Sequence, residues 1–174
     1  KYPLEAPYLV QSISDRSSVA HAIASVSALE DYLNIYAPSS ALKIRQIMLD
    51  LSAIRSHLYH FYWEVLPDFL NMGHFAEFNP KETWFYFGQF QKEEDVGDLD
   101  LETGVKIMKS FPEAAYTIDL LQKSIALFGG KFPIIMNQIP GGVSNFKISR
   151  NLIMKIIRNL ESCKHFIESI WAED

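Results

Sequence analysis

Three groups of residues have types and spacings that could do chemistry. His57, His60 and Glu64 stand three and four residues apart, so on a helix they share one face, and two imidazoles with a carboxylate can ligate a metal. Such a site needs further ligands from a second helix, and beyond the carboxylates only His21, His74 and His165 are left to supply them. Without them the pair reads as structural, and no metal is expected in this chain. Ser14 and Ser17 flank Asp15 and Arg16 just before a run of small and apolar residues. Ser17 or Ser18 can cap a helix that starts there, and Asp15 suits the positive end of its dipole. Gly129-Gly130 and Gly141-Gly142 bracket an apolar loop. Double glycines can cradle phosphate, but no lysine-serine pair or strand-to-helix context accompanies these.

The elements that must position these residues read as helices. Ser18 to Asn34 is rich in alanine and serine, whose small side chains allow close backbone approach, so this helix is expected to be central. From Leu42, the residues Ile44, Ile47, Met48, Leu51, Ile54, Leu58, Phe61, Tyr62 and Val65 recur at three and four, tracing the buried face of a long helix. Ser39 or Ser40 is expected to cap it and Pro67 to end it. Residues 72–98, with Gly73, Pro80, Gly88, Gly97 and dense aromatics, read as an irregular packed connector. A helix returns around 100–110. Pro112 is expected in the first turn of another, buried through Ile118, Leu121, Ile125 and Phe128 and stopped by Gly129-Gly130. A last helix runs from about Ser149 to Trp171, with Leu152, Ile156, Leu160, Cys163, Ile167 and Ile170 inward. The fold class is all-α, a single helical domain over 1–174.

Composition narrows the function classes. At 174 residues, 48% hydrophobic and 21% charged, the chain can bury a substantial core. Its net charge of -5 has no basic stripe, which argues against nucleic acid. No apolar run reaches the roughly 20 residues a bilayer needs, and no leader is evident, so the expectation is a cytoplasmic protein with peripheral attachment to a membrane complex left open. One cysteine, Cys163, excludes an internal disulfide framework. Aromatics at 13%, among them Trp63, Trp84 and Trp171, are rich for one domain and divide between core and interface.

The segment Ser14 to Glu30 resembles the first metal-binding motif of nickel–iron hydrogenase large subunits, Arg-x-Cys-Gly-x-Cys followed by a spacer, His-Ala and a small-residue helix ending Ala-x-Glu. Ala6-Pro7-Tyr8-Leu9 upstream and His21 downstream extend the likeness. Serine stands at both thiolate positions, Ser14 and Ser17, and Ser12 replaces the arginine. Arg55 to Tyr62, then Leu66-Pro67-Asp68-Phe69, is similar to the family's His-x-x-His-Phe-Tyr segment. Gly129 to Val143 resembles its loop Gly-Gly-(Lys/Arg)-x-Pro-His-Pro-x-x-x-x-Pro-Gly-Gly-Val, with the histidine lost among apolar Phe132, Ile134 and Ile135.

This resemblance implies a helical large-subunit core, a small-subunit partner carrying iron–sulfur clusters, and a larger redox complex. It also implies a nickel–iron centre held by two cysteine pairs. No counterpart of the second pair, Asp-Pro-Cys-x-x-Cys, or of the upstream Arg-Gly-x-Glu element is found in the chain. A serine hydroxyl stays protonated at neutral pH and cannot replace a thiolate as ligand. The expected role is therefore a non-catalytic subunit docking on an iron–sulfur protein, as the quinone-site subunit of respiratory complex I does after losing its cysteines. The former metal-site positions are Ser14 and Ser17. Asp15, Arg16, His21, His57 and Asp68 are candidates for a vestigial pocket, and Gly141 and Gly142 for a loop at the site or partner. Two alternatives are an emptied cavity that binds a quinone or other electron acceptor, and a helical adaptor with no redox role. A cavity filled by Phe132, Ile134 and Ile135 would argue against the quinone.

Overall fold

The computed structural model describes residues 3–14, 16–70, 99–144 and 149–171. Asp15, His74, Trp84 and the expected connector 72–98 lie outside the described residues. The fold is all-α. A short start, with 3-10 turns at Pro3–Glu5 and Val10–Ile13 around helix α1 (Ala6–Leu9), leads into α2 (Ser18–Leu33) and α3 (Ser39–Tyr59). A π-helical turn at His60–Val65 and a 3-10 turn at Leu66–Asp68 follow. Then come α4 (Leu101–Gly129), the two-residue strands β1 (Gln138–Ile139) and β2 (Gly142–Val143), α5 (Arg150–Phe166) and a π-helical end at Ile167–Trp171. By contact the chain forms two compact units, 1–56 with 119–161, and 57–118 with 162–174.

In the first unit, α2 contributes Val19, Ala22, Ile23 and Val26 to the core at spacings of three and four, and α3 contributes Ala41, Ile44, Met48 and Leu51. Asn34 ends α2 in the left-handed conformation (φ 53°), and the Ile35 N–H closes on the Glu30 carbonyl at 3.0 Å. The first turn of α3 closes on the Pro38 carbonyl, which accepts from Ala41 and Leu42, so the cap position is Pro38 and neither expected serine. Ile47, expected inside, is exposed. Leu121, Ile125 and Phe128 of α4 are buried as the pattern predicts. Gly129 ends the helix, and Gly130 turns the chain at φ 86°.

In the second unit, Tyr62 is fully buried in an aromatic cluster. Its ring meets Phe111 edge-on at 5.6 Å and Phe166 at 6.3 Å, while Phe61 meets Trp171 at 6.1 Å and Trp63 meets Phe111 at 4.4 Å. The Ser110 hydroxyl donates to the Ile107 carbonyl at 2.8 Å, so the Tyr62 hydroxyl must donate to Ser110 Oγ at 2.7 Å. α4 differs from the expected two helices. It is continuous through Pro112, which is exposed and gives up only one backbone hydrogen bond there. Asp100 caps its start by accepting from the Thr103 N–H at 3.0 Å.

Candidate functional site

The geometry that bears on function lies in the first unit, where the segment around Ser14 and the loop 130–143 are fastened together by buried polar groups. Ser14 is extended, and its hydroxyl accepts from the Ser17 N–H at 3.4 Å. Ser17 occupies the cap position of α2, where its carbonyl accepts from the His21 N–H at 3.0 Å, but its hydroxyl makes no capping bond. Ser18 does not cap either. Its buried hydroxyl donates to the Pro133 carbonyl at 2.7 Å, tying the head of α2 to the loop. One turn upstream, Gln11 grips Ile135 from both sides: its Oε1 accepts from the Ile135 N–H at 2.7 Å, and its Nε2 donates to the Ile135 carbonyl at 3.1 Å.

The far end of the loop is held by an ion pair. Arg45 on α3 donates through both terminal nitrogens to the Glu30 carboxylate, each at 2.8 Å. Its Nε donates to Gln138 Oε1 at 3.1 Å, and its Nη2 also reaches the carbonyls of Ile139 at 3.1 Å and Gly142 at 3.0 Å. Glu30 Oε1 accepts a further bond from the Gly141 N–H at 2.8 Å. The hydrogen bonds from Arg45, aided by that from Gly141 and opposed by burial, hold the Glu30 carboxyl below the usual carboxylate range. The pair thus organises the turn between β1 and β2, where Ile139 pairs with Gly142 and Pro140-Gly141 form the corner. Gly141 sits at φ 88°, the left-handed position that a proline-glycine turn assigns to glycine.

The loop is filled by its own side chains. Ile135 is fully buried, and a Cβ on Gly129 would come within 2.5 Å of its Cγ2. Phe132 is half-buried under the Arg55 guanidinium, 4.9 Å from the ring centroid.

The candidate residues divide between the units. Ser14, Arg16, Ser17 and His21, all half-buried, belong to the first unit with Gly141 and Gly142, whereas His57 and Asp68 are exposed residues of the second. His60 pairs with Glu64 through Nδ1 at 2.7 Å in an exposed ion pair. Among the described residues no three of the types His, Cys, Asp and Glu converge as metal ligands. Arg45, Gln11 and Gln138 were not candidates from the sequence, and Glu30 entered only as the closing residue of the first motif. The available signal was Arg45 beside Ile44 on the apolar face of α3, a charge in a core position that needs a buried partner.

The nickel-dependent hydrogenase family model matches residues 1–103. The chain belongs to this family. It is 27% identical over 212 residues to the hydrogenase-2 large chain of Escherichia coli K12, an alignment covering 99% of this chain and 37% of that one. It is 34% identical over 70 residues to the coenzyme F420 hydrogenase subunit alpha of Methanothermobacter thermautotrophicus, covering 40% of this chain and 17% of that one. The oxidised nickel–iron–selenium hydrogenase of Desulfovibrio vulgaris Hildenborough shares the fold, with a TM-score of 0.78 at 22% identity over 97% of this chain and 33% of that one. This member of the family therefore spans about a third of the length of these relatives.

The family name implies a nickel centre, and the chain offers few donors of the kind that holds one. Ser14 and Ser17, the positions that resemble the family's first cysteine pair, offer hydroxyls. The single thiol, Cys163, lies in the other unit, buried, with its sulfur toward the Thr117 carbonyl and its pKa pushed up to about 11 by burial. These donors do not fit a thiolate-held nickel.

Proposed function

We propose that this chain is a non-catalytic hydrogenase-large-subunit-like component that docks on an iron–sulfur protein resembling the hydrogenase small subunit, within an electron-transfer complex. The observation that carries the reading is serine at both thiolate positions of the first motif, in a unit whose framework is fully built around them. Apolar residues beside the former site support docking: Leu4, Leu9 and Ile13 are 56%, 59% and 72% exposed on the segment that leads into Ser14. The buried Ile135 and the Ser18–Pro133 bond favour this reading over a quinone held in an emptied cavity.

The test is metal and acid-labile sulfide analysis of the natively purified assembly, with identification of the co-purifying chains. Iron and sulfide assigned to a neighbouring chain, with no nickel bound to this one, is the expected result. Nickel stoichiometric with this chain, or a monomer without an iron–sulfur partner, would sink the proposal.

A further inference from the structure

Within the second unit, residues 113–117 of α4 and 162–166 of α5 bound a cleft of about 330 Å³. Glu113, Tyr116 and Thr117 line one side, and Ser162, His165 and Phe166 the other. Each set is spaced three and four residues apart, so each shares one face of its helix. Thr117 and Phe166 are buried at the base, while Glu113, Tyr116 and His165 are exposed at the mouth. Packing fixes the base: the Cys163 sulfur lies 3.9 Å from the Thr117 carbonyl, and the ring of Tyr62 backs that of Phe166. Asp119 is paired with Lys123 and Glu168 with Lys164, but Glu113 has no ion-pair or hydrogen-bond partner among the described residues. Lys109, one turn before it, lines a separate groove with Lys106. His165, the one basic side chain of the cleft, shares its Nδ1 with the Ser169 hydroxyl at 3.1 Å.

We infer that this cleft binds a small organic ammonium ion carrying one aromatic ring. The Glu113 carboxylate is an acceptor without a cation, and an ammonium N–H supplies the charge-assisted hydrogen bond it lacks. Tyr116 and Phe166 add aromatic surface, which attracts a cation through the ring face and packs a second ring edge-on or offset. Size limits the ligand, since the cleft stands at the low end of the about 300–1,000 Å³ that small-molecule sites occupy. Charge selects its sign: an anion would meet Glu113, and the net charge of -5 favours the approach of a cation. The inference is independent of the docking partner proposed above.

The test is equilibrium dialysis of the full chain against phenethylamine and against phenylacetate, at about pH 8, above the ordinary histidine range. Saturable binding of the amine to one site is expected, with the carboxylate of like size bound at least about ten-fold more weakly. Glu113→Gln should weaken binding of the amine about ten-fold, and Tyr116→Leu about three-fold. Glu161→Gln removes the same charge from an exposed position of α5 outside the cleft and should leave binding unchanged. Circular dichroism of all three variants should match the parent, because each position is exposed. No saturable binding of the amine at millimolar concentration, phenylacetate bound as well as phenethylamine, binding indifferent to Glu113→Gln, or an equal loss in Glu161→Gln would each overturn the assignment.

Discussion

Ser14 and Ser17 carry hydroxyls that keep their protons at neutral pH, and in the fold Ser14 serves as a hydrogen-bond acceptor for the Ser17 N–H. The residues that now carry weight are Glu30 and Arg45. Truncating one member of a buried, hydrogen-bonded ion pair leaves the other charge stranded. Arg45→Met is therefore expected to lower stability by about 3 kcal/mol or more in urea unfolding. Arg45→Lys should also be destabilising, since one ammonium cannot serve both carboxylate oxygens, Gln138 and two carbonyls. Because the folded-state pKa of Glu30 lies below its unfolded value, its contribution is present above the ordinary glutamate range and is lost as pH falls through the lowered value. Glu30→Gln should accordingly be less stable at neutral pH and lose less stability on acidification, as a urea series across pH would report. Cys163 titrates in the opposite sense. Its thiol stays protonated in the folded chain up to about pH 11, against 9.0 for the ordinary group, so stability falls as pH rises through that interval. At pH 8 it should resist a disulfide reagent until guanidinium unfolds the protein.

At the scale of elements, α4 tests packing and backbone separately. Gly129→Ala would drive a methyl to within 2.5 Å of Ile135 and 3.0 Å of Met48, and should cost about 1–3 kcal/mol by thermal unfolding. Pro112→Ala should act in the other direction and raise the melting temperature, because it restores a helical N–H at an exposed position. The apolar stripe from Ile118 to Phe128 and the stop at Gly129-Gly130 were legible because periodicity and glycine conformation are local signals. The continuity through Pro112 was not, since local preference argues for a break there and tertiary packing overrides it. The serine caps failed for a related reason. Ser18 has the right type for a cap, but its hydroxyl is claimed by the Pro133 carbonyl, a partner 115 residues away. The clasp of Gln11, Glu30, Arg45 and Gln138 depends on long-range pairings that no local pattern announces.

For the whole molecule, the nickel-dependent hydrogenase family supplies the helical framework. The proposed role then predicts that the isolated chain folds to the same thermal midpoint with or without a chelator, whereas a metal-held fold would lose stability on chelation. The division into two units has an optical consequence. Of the tryptophans among the described residues, Trp63 and Trp171 both belong to the second unit. Emission from these two rings is thus a built-in label for the second unit. Arg45→Met should leave the native emission spectrum unchanged, while Phe111→Leu, which removes the ring beside Trp63, should shift it. Comparing emission with backbone ellipticity during unfolding would then time the melting of one unit against that of the whole chain, with no dye attached.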